Sequence, residues 1–343
     1  MKISILQFIC MLTILSGCTQ QSDKVKSSND NNLPQKSAEI REFEINEILK
    51  PLDIALGDNY LCILSDVDGA DHQIYVYDAD NMEFKYKFAK KGSGPQETLA
   101  LDMVKTLRGD TLYLIDQSKY KMLTYKLQDD QPIFISECYL NLPHMGPLQE
   151  VYWSDDSTLI FNTLNGDLVK YSVYGEEIEE SFDIPALIEN ISETDKKRIG
   201  NYHFSCSGDN VYIGMRSFNE LFKCKLDSLS TIISDGLHII ENPLTDNGSV
   251  LNNYVYYVYV ASGKEYVLAQ YYGRKLIEMQ PFPRNLSGQN LKFDLELFDR
   301  NLNPIRKFQT NTDFLRAFLD EKRHRIYYWD ANNDFEELKY LSF

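Results

Sequence analysis

The 343-residue chain is predicted to be all-β, a six-bladed β-propeller of four-stranded antiparallel blades closed by an N-terminal strand. Three observations predict this fold. A polar turn followed by a short apolar strand recurs six times, the step between copies is nearly constant, and the last copy ends one strand short. The turns are Gly57-Asp58-Asn59 before YLCILSD, Gly109-Asp110 before TLYLID, Asp155-Asp156-Ser157 before TLIFN, Gly208-Asp209-Asn210 before VYIGMRS, Ser262-Gly263-Lys264 before EYVLAQYY and Asp320-Glu321-Lys322-Arg323 before HRIYYWD. With Gly57, Gly109, Asp155, Gly208, Gly263 and Glu321 as markers, the steps are 52, 46, 53, 55 and 58 residues. That is the size of a propeller blade. A pair of β-sandwiches would account for the strands but supplies no reason for the six-fold recurrence.

Each unit is built in the same order. An apolar stretch precedes the turn, as PLDIAL does before Gly57 and LDMVKTL before Gly109. The second strand follows the turn, and after a polar loop comes a third: QIYVYDADN, MLTYKLQDD, LVKYSVYGEE, LFKCKLDS, FDLELFDRN and FEELKYLSF. A fourth, such as FKYKFA (84–89) or PIRKFQ (304–309), closes most units. The aromatic, β-branched run Asn253 to Val260 (NYVYYVYV) reads as an inner strand packed on both faces rather than an exposed stacking platform. The last unit reaches Phe343 after three strands, and Glu39 to Ile45, which alternates as a strand should, is available to complete it. Pairing it there removes a free sheet edge. Only Ala186 to Ile199 has a helical pattern, as an insertion between the third and fourth units.

The segment ahead of the repeats reads as an address. Met1-Lys2 is a short basic start, and Ile3 to Ile14 is an apolar run too short to span about 30 Å of hydrocarbon. It ends in Leu15-Ser16-Gly17-Cys18, where small residues admit a signal peptidase and Cys18 offers a thiol for diacylglycerol. Residues 19–38 hold only Val25, Leu33 and Ala38 as apolar side chains, too few to fold, and read as a tether on the order of 25 Å long. The expected organisation is therefore a leader over 1–17, a lipid-anchored tether over 18–38 and a propeller over 39–343, anchored to a membrane without spanning it. The expected location is the cell envelope, at the outer membrane. Of the remaining cysteines, Cys62, Cys138, Cys206 and Cys224 each lie in strand-like apolar contexts and read as free thiols.

These features together resemble the TolB-like six-bladed propeller lipoproteins of Bacteroides-type bacteria. The resemblance rests on the lipobox, the polar tether, the six units and the turn Lys91-Gly92-Ser93-Gly94-Pro95-Gln96-Glu97. In that group the turn often reads G-x-G-P-G-E, and Gln96 departs from its last glycine. The resemblance implies a fold and an address, and transfers no catalytic residues.

A net charge of −16 repels phosphate backbones and sets nucleic acid aside as a partner. The five histidines, His72, His144, His203, His238 and His324, fall in different units without paired spacing, and no C-x-x-C is present, so no metal or cofactor is expected. Asp66-Val67-Asp68-Gly69-Ala70-Asp71 has its glycine too early for a calcium loop and suits a hairpin turn. Gly92-Ser93-Gly94-Pro95 opens onto a strand, not the helix a phosphate cradle needs. Neither a G-x-S-x-G elbow nor a sialidase-type repeat occurs.

Propeller ligands gather at the channel mouth, so the residues ending the second strands are the candidates: Asp66, Asp116, Asn162, Arg216, Arg274 and Asp330. Turn capping competes for the acids and the amide, whereas Arg216 and Arg274 have no such role and present planar donor forks suited to carboxylates. The long loop 273–290 adds Phe282 and Arg284 as recognition residues. The expected function is non-enzymatic binding of a glycan, peptide or partner protein. Alternatives are a carbohydrate-active or lactone-cleaving enzyme, and a scaffold subunit of an envelope complex.

Overall fold

The computed structural model describes residues 39–47, 49–94, 96–105, 107–142, 146–184, 202–228, 253–276, 293–310, 314–330 and 337–343. The leader, Cys18, the tether and the expected helix at 186–199 lie outside the described residues.

The first strand, β1 (Ile40–Glu44), precedes the blades. Blade 1 is β2 (Pro51–Leu56), β3 (Tyr60–Ser65), β4 (His72–Asp78) and β5 (Phe84–Lys90). Blade 2 is β6 (Leu101–Met103), β7 (Thr111–Asp116), β8 (Lys121–Lys126) and β9 (Ile133–Tyr139). Blade 3 is β10 (Leu148–Trp153), β11 (Thr158–Thr163), β12 (Asp167–Ser172) and β13 (Glu177–Asp183). The described part of blade 4 is β14 (Tyr202–Ser207), β15 (Asn210–Met215) and β16 (Leu221–Lys225). Blade 5 is β17 (Tyr254–Ser262), β18 (Tyr266–Lys275), β19 (Asp294–Asp299) and β20 (Pro304–Gln309). Blade 6 is β21 (Phe314–Asp320), β22 (Arg325–Asp330) and β23 (Glu337–Ser342).

Within each blade the strands pair in sequence order and antiparallel, as short turns dictate. The sixth sheet has the order β1-β23-β22-β21. The N-terminal strand is thus the outer strand of the last blade, in register from Ile40 opposite Leu341 to Glu44 opposite Glu337. Phe43 stacks on Tyr340 with centroids 5.0 Å apart, and the Arg325 guanidinium lies 5.7 Å from the Phe43 ring centre. The ring is closed as the alternation of residues 39–45 predicts.

The core is a ring of inter-blade layers. Met103, Leu112 and Leu114 of blade 2 pack on Cys62, Leu64 and Val76 of blade 1. Phe318 and Trp329 of blade 6 close on Ile54, Ile63 and Tyr77 of blade 1. Similar apolar layers fill the other four interfaces. This follows from the sequence, because inner strands buried on both faces are mostly apolar. The run read as an inner strand is β17, with Val255, Tyr256, Tyr257, Tyr259 and Val260 buried. Where blades 4 and 5 meet, a Cβ on Gly214 would stand 2.7 Å from Val260 Cγ2, so only glycine fits. Cys62, Cys206 and Cys224 are buried free thiols, and Cys138 is a partly buried one.

The Lys91–Glu97 turn joins blades 1 and 2. The Gly94 amide donates to the Glu97 carboxylate at 2.8 Å, and Lys90 pairs with that group at 3.0 Å. Gln96, at the position where the resembling family carries glycine, holds a left-handed φ of 60°.

Candidate functional site

The inner strands run from the rim where the second strands end to the rim of the six recurring turns. On the turn side the channel widens into a funnel of 930 Å³ to which every blade contributes. Its wall includes Lys105, Trp153, Ser207, Tyr259, Ser262 and Phe318. The lip is fixed by the turns themselves. The Glu321 carboxylate accepts from the amides of Lys264, Glu265 and Tyr266 at 2.6–2.9 Å, tying blade 6 to blade 5. Arg108 stacks over Trp153 at 4.0 Å and pairs with Asp156 at 3.4 Å, tying blade 2 to blade 3.

Beneath the funnel lies a layer of charge. Asp53 of β2 is 3% exposed, pairs with the buried Lys105 that follows β6, and meets Arg316 of β21 at 3.3 Å. Glu150 of β10 accepts from the His203 ring at 3.0 Å and from the Phe204 amide at 3.0 Å. Asp102 of β6 accepts from the Met103 amide at 2.8 Å and from Gln117 at 3.2 Å. Arg316 lies over the Tyr259 ring at 5.1 Å. Its charge acts on Asp102 and on Glu150, which is on the blade opposite, so these groups share the channel.

The electrostatics follow from burial and pairing. Burial raises Asp102 to about 6, against the pull of the Met103 amide, Arg316 and Gln117. Burial also pushes Glu150 upward, but the charge and hydrogen bond of His203, with Arg316 and Lys105, outweigh it and hold Glu150 below the usual range. Side chains of serine and tyrosine complete the wall, with Ser205 and Ser262 hydroxyls 2.8 Å apart across blades 4 and 5. The layer offers acceptors, donors and both signs of charge to a polar ligand. Among the described residues there is no cluster of His, Cys, Asp and Glu able to hold a metal ion, and no helix long and apolar enough to cross a membrane.

The candidates read from the second strands occupy the opposite rim. Asp66 pairs with Lys91 at 2.9 Å. Asp116 is buried, accepting from the amides of Ser118 and Leu99, and Asn162 accepts from the Glu150 amide at 2.9 Å. Asp116 caps its own turn, while Asp66 and Asn162 tie neighbouring segments together. Arg216 follows β15, and Arg274 lies near the end of β18. Asp330 ends β22 on that rim. Phe282 and Arg284 lie outside the described residues.

The charged layer was not read from the sequence, although a signal for it exists. Five of the six otherwise apolar inner strands carry an acid, a histidine or an arginine near their starts: Asp53 in PLDIAL, Asp102 in LDMVKTL, Glu150 in LQEVYW, His203 in YHFSCS and Arg316 in FLRAFLD. An ionisable group at a matched position of successive buried strands is costly to fold and marks a site.

The fold and channel define a six-bladed β-propeller of the velcro-closed type, with a polar channel. The sequence profile described as TolB-like 6-blade propeller-like matches residues 29–322, and the chain belongs to that family. Among curated proteins no sequence relative matches. Similar solved structures include a Bacteroides fragilis protein described as exported, at 14% identity and a TM-score of 0.48, covering 91% of this chain and 96% of that one. The Cps50 (Swd1) β-propeller domain of Myceliophteria thermophila is 13% identical with a TM-score of 0.47, covering 89% and 99%. The WD40 domain of Toxoplasma gondii coronin is 10% identical with a TM-score of 0.44, covering 90% and 72%. At these scores the three carry no argument about function.

Proposed function

We propose that the protein is a lipid-anchored envelope propeller that binds a polar ligand, a glycan or a peptide, in the turn-side funnel without chemically altering it. The observation that carries this reading is the layer of Asp53, Asp102, Glu150, His203 and Arg316 beneath the 930 Å³ funnel. Asp53 and Glu150 are buried, and buried charges add little to folding compared with apolar residues of the same volume. They supply hydrogen-bonding variety to a guest that displaces water. The polar tether after Cys18 would hold the propeller clear of the membrane so that the funnel can be reached.

A thermal-shift screen of glycans and short peptides on the full chain tests the reading, since a ligand of the native state raises the melting temperature. Ser207, partly exposed on the funnel wall, supplies the control. A hit is expected to lose its shift in Ser207→Trp, which narrows the funnel. Hits that all survive this substitution would place binding elsewhere.

A further inference from the structure

The class of ligand that suits the funnel is set by what stands at its floor. Arg316, the third residue of β21, meets Asp53 of blade 1 at 3.3 Å and lies over the Tyr259 ring of blade 5 at 5.1 Å. Its charge also acts on Asp102 and Lys105 of blade 2 and on Glu150 and Tyr152 of blade 3. A side chain rooted in blade 6 that reaches groups on blades 1, 2, 3 and 5 stands near the channel axis. The funnel wall is adjacent on two sides, because Tyr259 lines it and so does Lys105, which holds Asp53.

The guanidinium is lightly engaged. Among the described residues its one hydrogen bond runs from Nη1 to Asp53 Oδ1, and Lys105 takes the other oxygen of that carboxylate. The nearby acids are occupied elsewhere, Glu150 by His203 and the Phe204 amide, Asp102 by the Met103 amide and Gln117. Exposure divides the layer by sign. The Arg316 side chain is 32% exposed against 3% for Asp53, and His203 is 23% exposed against 4% for Glu150. In each pair the basic partner faces the channel and the acid is buried behind it. A guest therefore meets donors first, and an anionic group is the guest they suit.

The wall above is rich in hydroxyls. Ser154, Ser207 and Ser262, from blades 3, 4 and 5, line the funnel and are partly exposed. Serine hydroxyls both donate and accept, as those of a sugar do, and a guanidinium fork matches a carboxylate in two-point geometry. We propose that the funnel takes an acidic glycan, with the carboxylate of a uronate residue on Arg316 and the three serines against its hydroxyls. This inference rests on the funnel being the binding site and names the class of its ligand.

The test is calorimetric titration of the full chain with trigalacturonate and with its methyl ester, which differ only at the carboxylates. Triglutamate supplies carboxylates without a sugar. Trigalacturonate is expected to bind roughly tenfold tighter than the ester, or more, the scale of one charge-assisted hydrogen bond. Arg316→Gln should bring the two affinities together, whereas a residue that merely supports the fold would change both alike. Arg316→Lys, which keeps the charge without the fork, should narrow the gap and decides the matter if the glutamine variant does not fold. Ser207→Trp should weaken both ligands. Three results would overturn the proposal: no binding of trigalacturonate, a preference over the ester that survives substitution of Arg316, or tighter binding of triglutamate. If a neutral glycan binds and is lost in Ser207→Trp while trigalacturonate gives no heat, this inference fails and the funnel reading stands. If trigalacturonate binding depends on Arg316 and ignores Ser207→Trp, both fail.

Discussion

Asp102 shows at the residue scale what the channel costs the fold. Its carboxyl is displaced from 3.8 to about 6 by burial, so the native state favours the neutral acid. The stability this lends is complete below the unfolded value and is lost as pH rises through the folded one. The displacement corresponds to about 3 kcal/mol. Asp102→Asn is therefore expected to gain stability on the wild type, by up to that amount, as pH rises from about 4 to about 8. Urea unfolding across that range measures it, and a difference that stays constant would mean the carboxyl is ionised throughout. Glu150 works in the opposite sense, because its lowered value makes its contribution present at neutral pH and lost in acid. The sequence made Asp116 and Asn162 legible as ends of strands but not as buried anchors, since turn capping and ligand binding call for the same residue types. Asp53, Glu150 and Arg316 escaped because lone charges inside apolar strands become a cluster only when six strands converge on one axis.

Strands were the easiest feature to read, and their pairing carries the closure of the ring. The six polar turns precede β3, β7, β11, β15, β18 and β22, each in the second position of its blade. Period alone located them, because each blade repeats one supersecondary unit. The free third strand of the last unit and the alternation of residues 39–45 together identified β1 as its partner. Deleting residues 39–45 strips the ladder along β23 and the Phe43–Tyr340 stack, and is expected to cost several kcal/mol. Deleting residues 19–38, which carry almost no apolar surface, should change stability by no more than about 0.5 kcal/mol. Chemical denaturation of the two deletions compares them directly. Equal midpoints would mean that β1 does not hold the ring closed.

At the scale of the whole molecule, the proposed arrangement is a lipid anchor and a polar tether ahead of a propeller with a polar channel. The proposed anchoring rests on Leu15-Ser16-Gly17-Cys18, and Cys18→Ser is expected to abolish metabolic labelling with a palmitate analogue and to leave the leader uncleaved. Undiminished labelling would move the lipid to another residue. The propeller's part is tested by hydrogen–deuterium exchange on the full chain, with and without a saturating thermal-shift hit whose effect depends on Ser207. If the funnel is the binding site, exchange should slow at the turns that form its lip, around residues 57–59, 107–110, 154–157, 207–209, 262–265 and 320–323. Slowing confined to the outer strands β9 and β13, with the six turns unchanged, would contradict it.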